Sequence, residues 1–455
     1  MVKGRDKMWD LREAARILGA EVLRPRPPFK ASGASCDSRL VRPGDLFVAL
    51  VGKRHDGHDF VEEAFSKGAV GALVARDPGA GHNLIVVEDV ERALWELAKW
   101  RRGQLAIPTV GVAGSFGKTT TKELLAAALR TRFRVYRTPW NYNTEIGVPI
   151  AMLSVPDETE VAIFELGMNK RGDIRALCEL VDPWAGIITG IGEEHLETVG
   201  TLADVVEAEW ELAQCLPEEG ILALAWDYHE LRRVELCQAL CLRFGTSPEA
   251  DFFPAQIVAH DPQGVRFTLH SPAGSYKVRL KLLGEHVAVL ACGALALAWA
   301  MGVPLEAAVP ALAEVEPLPH RLHLIPTWFG WILDDCYNAS PPTVKAALEV
   351  LMSLALPARR RAFLFGDMLE LGPEEDRYHR EVVEYAARVG VDTLFAVGPR
   401  ASRAFSHWNG EGDAAEDLGR LLPRIREALR GSPTLLLIKG SRGMALERAV
   451  EALRK

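Results

Sequence analysis

The sequence predicts an α/β protein of three domains: a central doubly wound sheet carrying a phosphate-binding loop, with a smaller α/β domain on either side. Three observations carry this expectation. Short apolar strands alternate with helical stretches along most of the 455 residues, as parallel sheets with crossover helices require. Thr109 to Glu123 reads T-V-G-V-A-G-S-F-G-K-T-T-T-K-E, a strand that runs through a glycine loop into a helix. A break at Pro317, Pro319 and Pro326 then precedes a third alternating region. The expected domains span 1–88, 89–315 and 316–455.

In the first domain, strands at Leu46 to Leu50, Ala72 to Val74 and Leu84 to Val87 surround a helix near Phe60 to Lys67, with no phosphate loop. In the second, strands such as Val161 to Leu166 and Ala185 to Ile191 alternate with helices up to about Val315. The long apolar run Val287 to Val303 contains two glycines and falls short of a membrane span, so it reads as a buried helix. In the third, strands are expected at Trp331 to Leu333, Ala362 to Phe365, Thr393 to Val397 and Thr434 to Ile438.

Composition narrows the function. A net charge of -8 without a basic stripe argues against a nucleic-acid partner. Seven cysteines (Cys36, Cys178, Cys215, Cys237, Cys241, Cys292, Cys336) form no C-x-x-C pair and lie mostly in apolar runs, so buried free thiols in a reducing cytosol are expected. Met1 to Val22 is charged throughout and lacks the apolar core of a signal peptide. A cytoplasmic protein, with no membrane partner, is the expectation.

The glycine loop supplies the first chemistry. Gly114, Ser115 and Gly117 let backbone N–H groups curl around phosphate oxygens, and the helix that follows points its positive end at them. Lys118 adds mobile charge, the Thr119 hydroxyl suits Mg²⁺, and Thr120 follows on the same turn. ATP with Mg²⁺ is the expected ligand pair. The spacing departs from G-x-x-x-x-G-K-[ST], because Val112 stands five before Gly117 and the extra glycine is Gly114. Glu165, near the end of its strand, is a second expected Mg²⁺ ligand. His195 follows the next strand and is either a ligand or structural.

The ordered set Gly114 to Thr119, Asn141-Tyr142-Asn143, Glu165-Leu166-Gly167, His195, Asp334-Asp335-Cys336-Tyr337-Asn338 and Lys439-Gly440-Ser441-Arg442 resembles the Mur ligases of peptidoglycan synthesis along nearly the whole chain. Asp334 to Pro341, Gly366 to Gly372 and the terminal K-G-S-R are similar to the member that adds D-alanyl-D-alanine. The resemblance implies an ATP-dependent amide ligase acting through an acyl phosphate on UDP-MurNAc-tripeptide and D-Ala-D-Ala, as a cytoplasmic monomer. Lys118, Glu165, His195 and Glu209 would then serve catalysis, with Thr119, Glu165 and His195 on the metal. Asn141, and Arg321 and Asn338 from the third domain, would join the loop in holding nucleotide. Ser38, Arg39, Asp56 and His58 would hold the uridine-diphosphate sugar, and Lys439 and Arg442 the dipeptide. Read without the family, His55, Asp56, His58 and Asp59 are a polar loop or a metal cluster.

Two departures from the family pattern stand out. Relatives carry a CO₂-modified lysine in an A-K-x-E context, where this chain has Ala208-Glu209-Trp210-Glu211; a glutamate of ordinary pKa brings its charge ready-made. The H-N-x-x-N pattern that helps to hold adenine is here His286-Val287-Ala288-Val289-Leu290. The alternatives are the preceding ligase, which adds the third amino acid but carries a D-N-P-R motif absent here, and a non-ligating P-loop protein that binds a UDP-sugar.

Overall fold

The computed structural model describes residues 9–52 and 55–454; Met1 to Met8, part of the segment read above for a signal peptide, lie outside them. A first sheet has the order Val22–Leu23, Leu84–Val86, Gly71–Val74, Asp45–Val48, Gly33–Ser35, with only Val22–Leu23 antiparallel to its neighbour. Period-two alternation splits the strand at 45–48 between two cores: Leu46 and Val48 face one, Phe47 the other. The helix Val90–Gln104 starts where the Asp89 side chain caps Arg92 N–H. Its Val90, Ala93, Leu94 and Leu97, at helical spacing, join the first core while Ala98 joins the central one. The first packed unit thus extends past residue 88.

The central sheet is wholly parallel, in the order Leu240–Phe244, Ile221–Ala225, Ala185–Ile188, Thr109–Ala113, Val161–Glu165, Val135–Arg137. Thr109–Ala113 is the strand from which the chain departs first to one side and then to the other, so its carboxyl end is the switch point where such sheets bind ligands. The glycine loop begins there.

Alternation of strand and helix does not continue to Val315 as expected. Phe253–Val258, Val265–Ser271 and Gly274–Leu280 form a separate antiparallel sheet. Its links are short turns through Gly264 (φ +125°) and Gly274 (φ +127°), which leave no room for the helix a parallel crossover needs. Behind it lies Glu285–Ala300, the expected apolar helix, buried from Leu290 to Ala298. Among the described residues no helix is long and apolar enough to cross a membrane.

The third sheet runs His323–Thr327, Gly330–Asp334, Thr434–Lys439, Arg360–Gly366, Thr393–Val397, Glu411–Ala415. Its first strand is antiparallel and the rest parallel. Every residue of Thr434–Lys439 is buried, as a strand covered on both faces must be. All seven cysteines are free, but Cys36, Cys215, Cys237 and Cys241 are half-buried.

Candidate active site

The buried strand Thr109–Ala113 delivers the chain to Gly114. Gly114 has φ +122°, and a Cβ there would lie 2.3 Å from Thr189 Oγ1, so only glycine fits. Gly117 (φ +79°) begins the helix Lys118–Leu129 without a side-chain cap, leaving its first N–H groups facing the loop. Lys118 Nζ donates to Gly114 O at 2.5 Å and stands 3.8 Å from Glu194. Burial pulls the Lys118 pKa down, but Glu194, Glu209 and Glu165 outweigh it and hold the ammonium above its ordinary value.

Thr119 and Glu165, the expected metal pair, meet: Thr119 Oγ1 donates to Glu165 Oε1 at 3.2 Å. Asn143 Nδ2 donates to the same oxygen at 3.0 Å, and Lys122 Nζ lies 3.1 Å from Oε2. Glu209 differs from expectation. Its Oε2 accepts the Gly114 N–H at 2.5 Å, while Oε1 is buried without a partner. Burial above all, with Glu194 adding to it against Lys118, pushes its pKa up to about 8. The glutamate of ordinary pKa foreseen in the sequence is therefore corrected to a carboxyl that resists ionisation. A hydroxyl, a carboxylate and an orphaned carboxyl oxygen around one loop are the hard donors that suit Mg²⁺.

His195, which itself adopts φ +51°, lines the same cleft. Its Nδ1 sits 2.6 Å from a carboxylate oxygen of Glu370 in the third domain, so only Nε2 remains for a metal. Burial lowers the imidazole pKa, but Glu370 and Glu194 raise it further than burial lowers it. Glu370 adopts φ +65°, unfavourable for a side chain, and its carbonyl accepts Glu197 N–H at 3.1 Å across the domains. Glu370→Gln should therefore lower the His195 pKa, read from its imidazole resonances across a pH titration; an unmoved pKa would mean the contact carries no charge coupling.

From the third domain, Arg321 Nη2 donates to Thr119 Oγ1 at 2.9 Å while its guanidinium lies 4.0 Å from the Tyr337 ring centre. Lys439, buried, donates to Asp335 Oδ2 at 2.5 Å and to Asn338 O at 2.9 Å, so it ties the D-D-x-Y-N stretch together. A cleft of about 590 Å³ is lined by Ser115, Gly117, Lys118, Thr119, Thr120 and Asn141 on one side and Arg321, Asn338 and Lys439 on the other. Its apolar part includes Ile257, Leu282, Leu283 and Val315, together with Val287 and Leu290 at the positions of the missing asparagines.

The first-domain set does not line this cleft. Ser38 is buried and donates to Glu63 at 2.8 Å, and exposed Arg39 pairs with Asp37 at 2.6 Å. Asp56 accepts from Arg76 at 2.7 Å. The His58 ring is 1% exposed, Nδ1 contacts Asp56 at 2.6 Å and Nε2 accepts Ala75 N–H at 2.8 Å, so both nitrogens have partners within the first domain. Arg442 also stands outside the cleft, paired with Glu447 at 3.0 Å.

Sequence reading missed Lys122, Glu194 and Glu370. Lys122 lies one helical turn after Lys118, which is the signal for a shared face; Glu194 adjoins His195. Glu370 lies in the Gly366 to Gly372 run, but nothing local marks its partner, which comes from another domain.

Known proteins resemble this chain in sequence and fold. The pattern described as "Mur ligase family, catalytic domain" matches residues 30–102, "Mur ligase middle domain" 112–298, and "Mur ligase, glutamate ligase domain" 320–442. The chain is 36% identical over 433 residues to the UDP-N-acetylmuramoyl-tripeptide--D-alanyl-D-alanine ligase of Bacillus subtilis, covering 92% of this chain and 93% of that protein. The Escherichia coli enzyme of the same name is 35% identical, with the same coverage. Among solved structures, MurF from Acinetobacter baumannii superposes with a TM-score of 0.86 at 30% identity over 99% of both chains. MurF from Thermotoga maritima in complex with ADP gives 0.79 at 27% identity, covering 93% of this chain and 97% of that one.

Proposed function

Because this chain belongs to the Mur ligase family, we propose that it joins D-alanyl-D-alanine to UDP-N-acetylmuramoyl-tripeptide, driven by ATP, in cytoplasmic peptidoglycan precursor synthesis. The observation that carries the reading is the bridge at the cleft: Arg321 of the third domain reaches the P-loop Thr119 at 2.9 Å, beside Lys118 and Glu165. Residues 1–88 would take the uridine nucleotide, 89–315 the ATP, and 316–455 the dipeptide, in a monomer.

The chemistry follows from what an amide bond needs. A carboxylate is a poor electrophile, so the γ-phosphoryl of ATP passes to the terminal carboxylate oxygen of the tripeptide, giving an acyl phosphate and ADP. Lys118 meets the charge spread over the transferring oxygens. Thr119 and Glu165, with Glu209 behind the loop and His195 through Nε2, would hold Mg²⁺, which when bound neutralises charge between the two anions. The dipeptide amine attacks the acyl carbon, the C–O bond to phosphate breaks, and the amine proton leaves with solvent or phosphate. Arg321 and Tyr337 close over the nucleotide and exclude the water that would hydrolyse the intermediate.

Phosphate release from ATP tests this directly. It should require both UDP-MurNAc-tripeptide and D-Ala-D-Ala, and a panel of tripeptides differing in the third residue identifies the acceptor. Release with a UDP-linked dipeptide and a free third amino acid would instead assign the preceding step, and release with neither acceptor would remove the ligase reading. Arg442→Ala, at an exposed side chain of the K-G-S-R turn, should raise the KM for D-Ala-D-Ala at least about tenfold more than that for ATP. Equal changes in both would make Arg442 structural.

A further inference from the structure

At one end of the third sheet, three side chains of different chemistry converge beside the residues used above. Strand Gly330–Asp334 ends in Asp334, buried, and Cys336, also buried, follows two residues on. His320 approaches from the preceding loop, where Tyr337 N–H donates to His320 O at 3.1 Å and holds the two segments together. His320 Nδ1 lies 2.8 Å from Asp334 Oδ2 and 3.5 Å from Cys336 Sγ. All three donor atoms fall within 4.8 Å of one another.

A histidine–aspartate ion pair accounts for only part of this. It does not use the buried thiol at the same point, which packs at the edge of the third-domain core, or the buried, unpartnered Glu447 Oε2 whose charge bears on that thiol. Burial, Asp334, Glu447 and Asp335 together push the Cys336 thiol well above its ordinary pKa. Negative charge converging on a soft donor is relieved by a dication.

We propose that His320, Asp334 and Cys336 form a site for a thiophilic divalent cation of the Zn²⁺ class, separate from the oxygen donors around Thr119 and Glu165. Tetrahedral bonds of about 2.0–2.1 Å to nitrogen, 2.0–2.2 Å to oxygen and 2.3 Å to sulfur set donor edges of roughly 3.3–3.7 Å. The His320–Cys336 edge already has that length, and the His320–Asp334 edge needs to open by about half an ångström. Binding forms the metal–sulfur bond as the thiol proton passes to solvent; water completes the shell. His320 adjoins Arg321 and Cys336 adjoins Tyr337, the stacked pair over the P-loop, so the ion would clamp the two segments that carry that bridge.

Cobalt titration of the full chain, stripped with chelator and held in excess Mg²⁺, tests the site. One equivalent of Co²⁺ should give a thiolate-to-cobalt charge-transfer band and tetrahedral visible bands, both lost on adding Zn²⁺. Cys336→Ser should abolish the charge-transfer band, and His320→Asn should weaken cobalt binding roughly tenfold or more. No band in the wild-type chain, a band surviving Cys336→Ser, or unchanged affinity in His320→Asn would overturn the proposal. X-ray absorption of the Zn²⁺-loaded wild-type chain needs no variant: one sulfur in the metal shell is expected, and a shell without sulfur overturns it.

Discussion

Lys118→Ala should lower turnover at least about a hundredfold, which is about 2.7 kcal/mol of transition-state stabilisation. The structure sharpens the reason. The Lys118 ammonium is held by Gly114 O at the mouth of the loop and is surrounded by Glu194, Glu209 and Glu165. It offsets Glu194 and Glu209, while Glu165 is also paired with Lys122, and the same charge must later meet the transferring phosphoryl oxygens. Removing it leaves Glu194 and Glu209 without that offset, so both should resist ionisation further and hold metal and nucleotide less well. Turnover measured at saturating substrates, with folding checked by thermal melting, decides the matter. A folded variant within about threefold of the wild-type rate would show that the loop does not handle phosphate in the way its shape suggests.

Glu209→Gln should do two opposite things. At limiting Mg²⁺ it should lower turnover about tenfold or more, because the carboxyl can ionise when Mg²⁺ binds and the amide cannot, so only the former can supply the negative charge that the relatives' modified lysine provides. In the ligand-free chain it should raise the melting temperature at alkaline pH. The carboxyl ionises near 4.5 when exposed and near 8 here, chiefly because burial disfavours its charged form. Stability tied to the protonated carboxyl is thus complete below pH 4.5 and is lost as the pH rises to about 8. The amide escapes that loss, so the two melting curves should coincide below pH 4.5, separate as the pH rises, and keep a constant gap above about 8. Wild-type activity should survive removal of CO₂, while Glu209→Lys should regain activity with added bicarbonate. Full activity of Glu209→Gln at limiting Mg²⁺ would end the idea that Glu209 replaces the modified lysine.

The strands at 393–397 and 434–439 and the helix at 285–300 were legible because each depends on neighbours in sequence. An apolar run bounded by turn residues must be buried whatever surrounds it. The antiparallel sheet at 253–280 was not legible as a break in the alternation, because a hairpin and a crossover differ in the length of one connection rather than in the strands. At the site the same division holds. Gly114, Gly117, Lys118 and Thr119 form one local motif, and the backbone between them dictates their geometry.

By itself, the sequence determined the α/β class, the phosphate loop, the third alternating region and the family resemblance, all written in order along the chain. Tertiary structure alone decided that Arg321 bonds Thr119, that His195 is engaged by Glu370, that Lys122 faces Glu165, and that Glu209 stands fully buried against Gly114 with a raised pKa. It also decided that both ring nitrogens of His58 have partners, Asp56 and the Ala75 N–H. The physical reason is common to all of them. A side chain's charge state and its free atoms depend on which groups surround it and how much water is excluded, and those neighbours come from segments tens to hundreds of residues away.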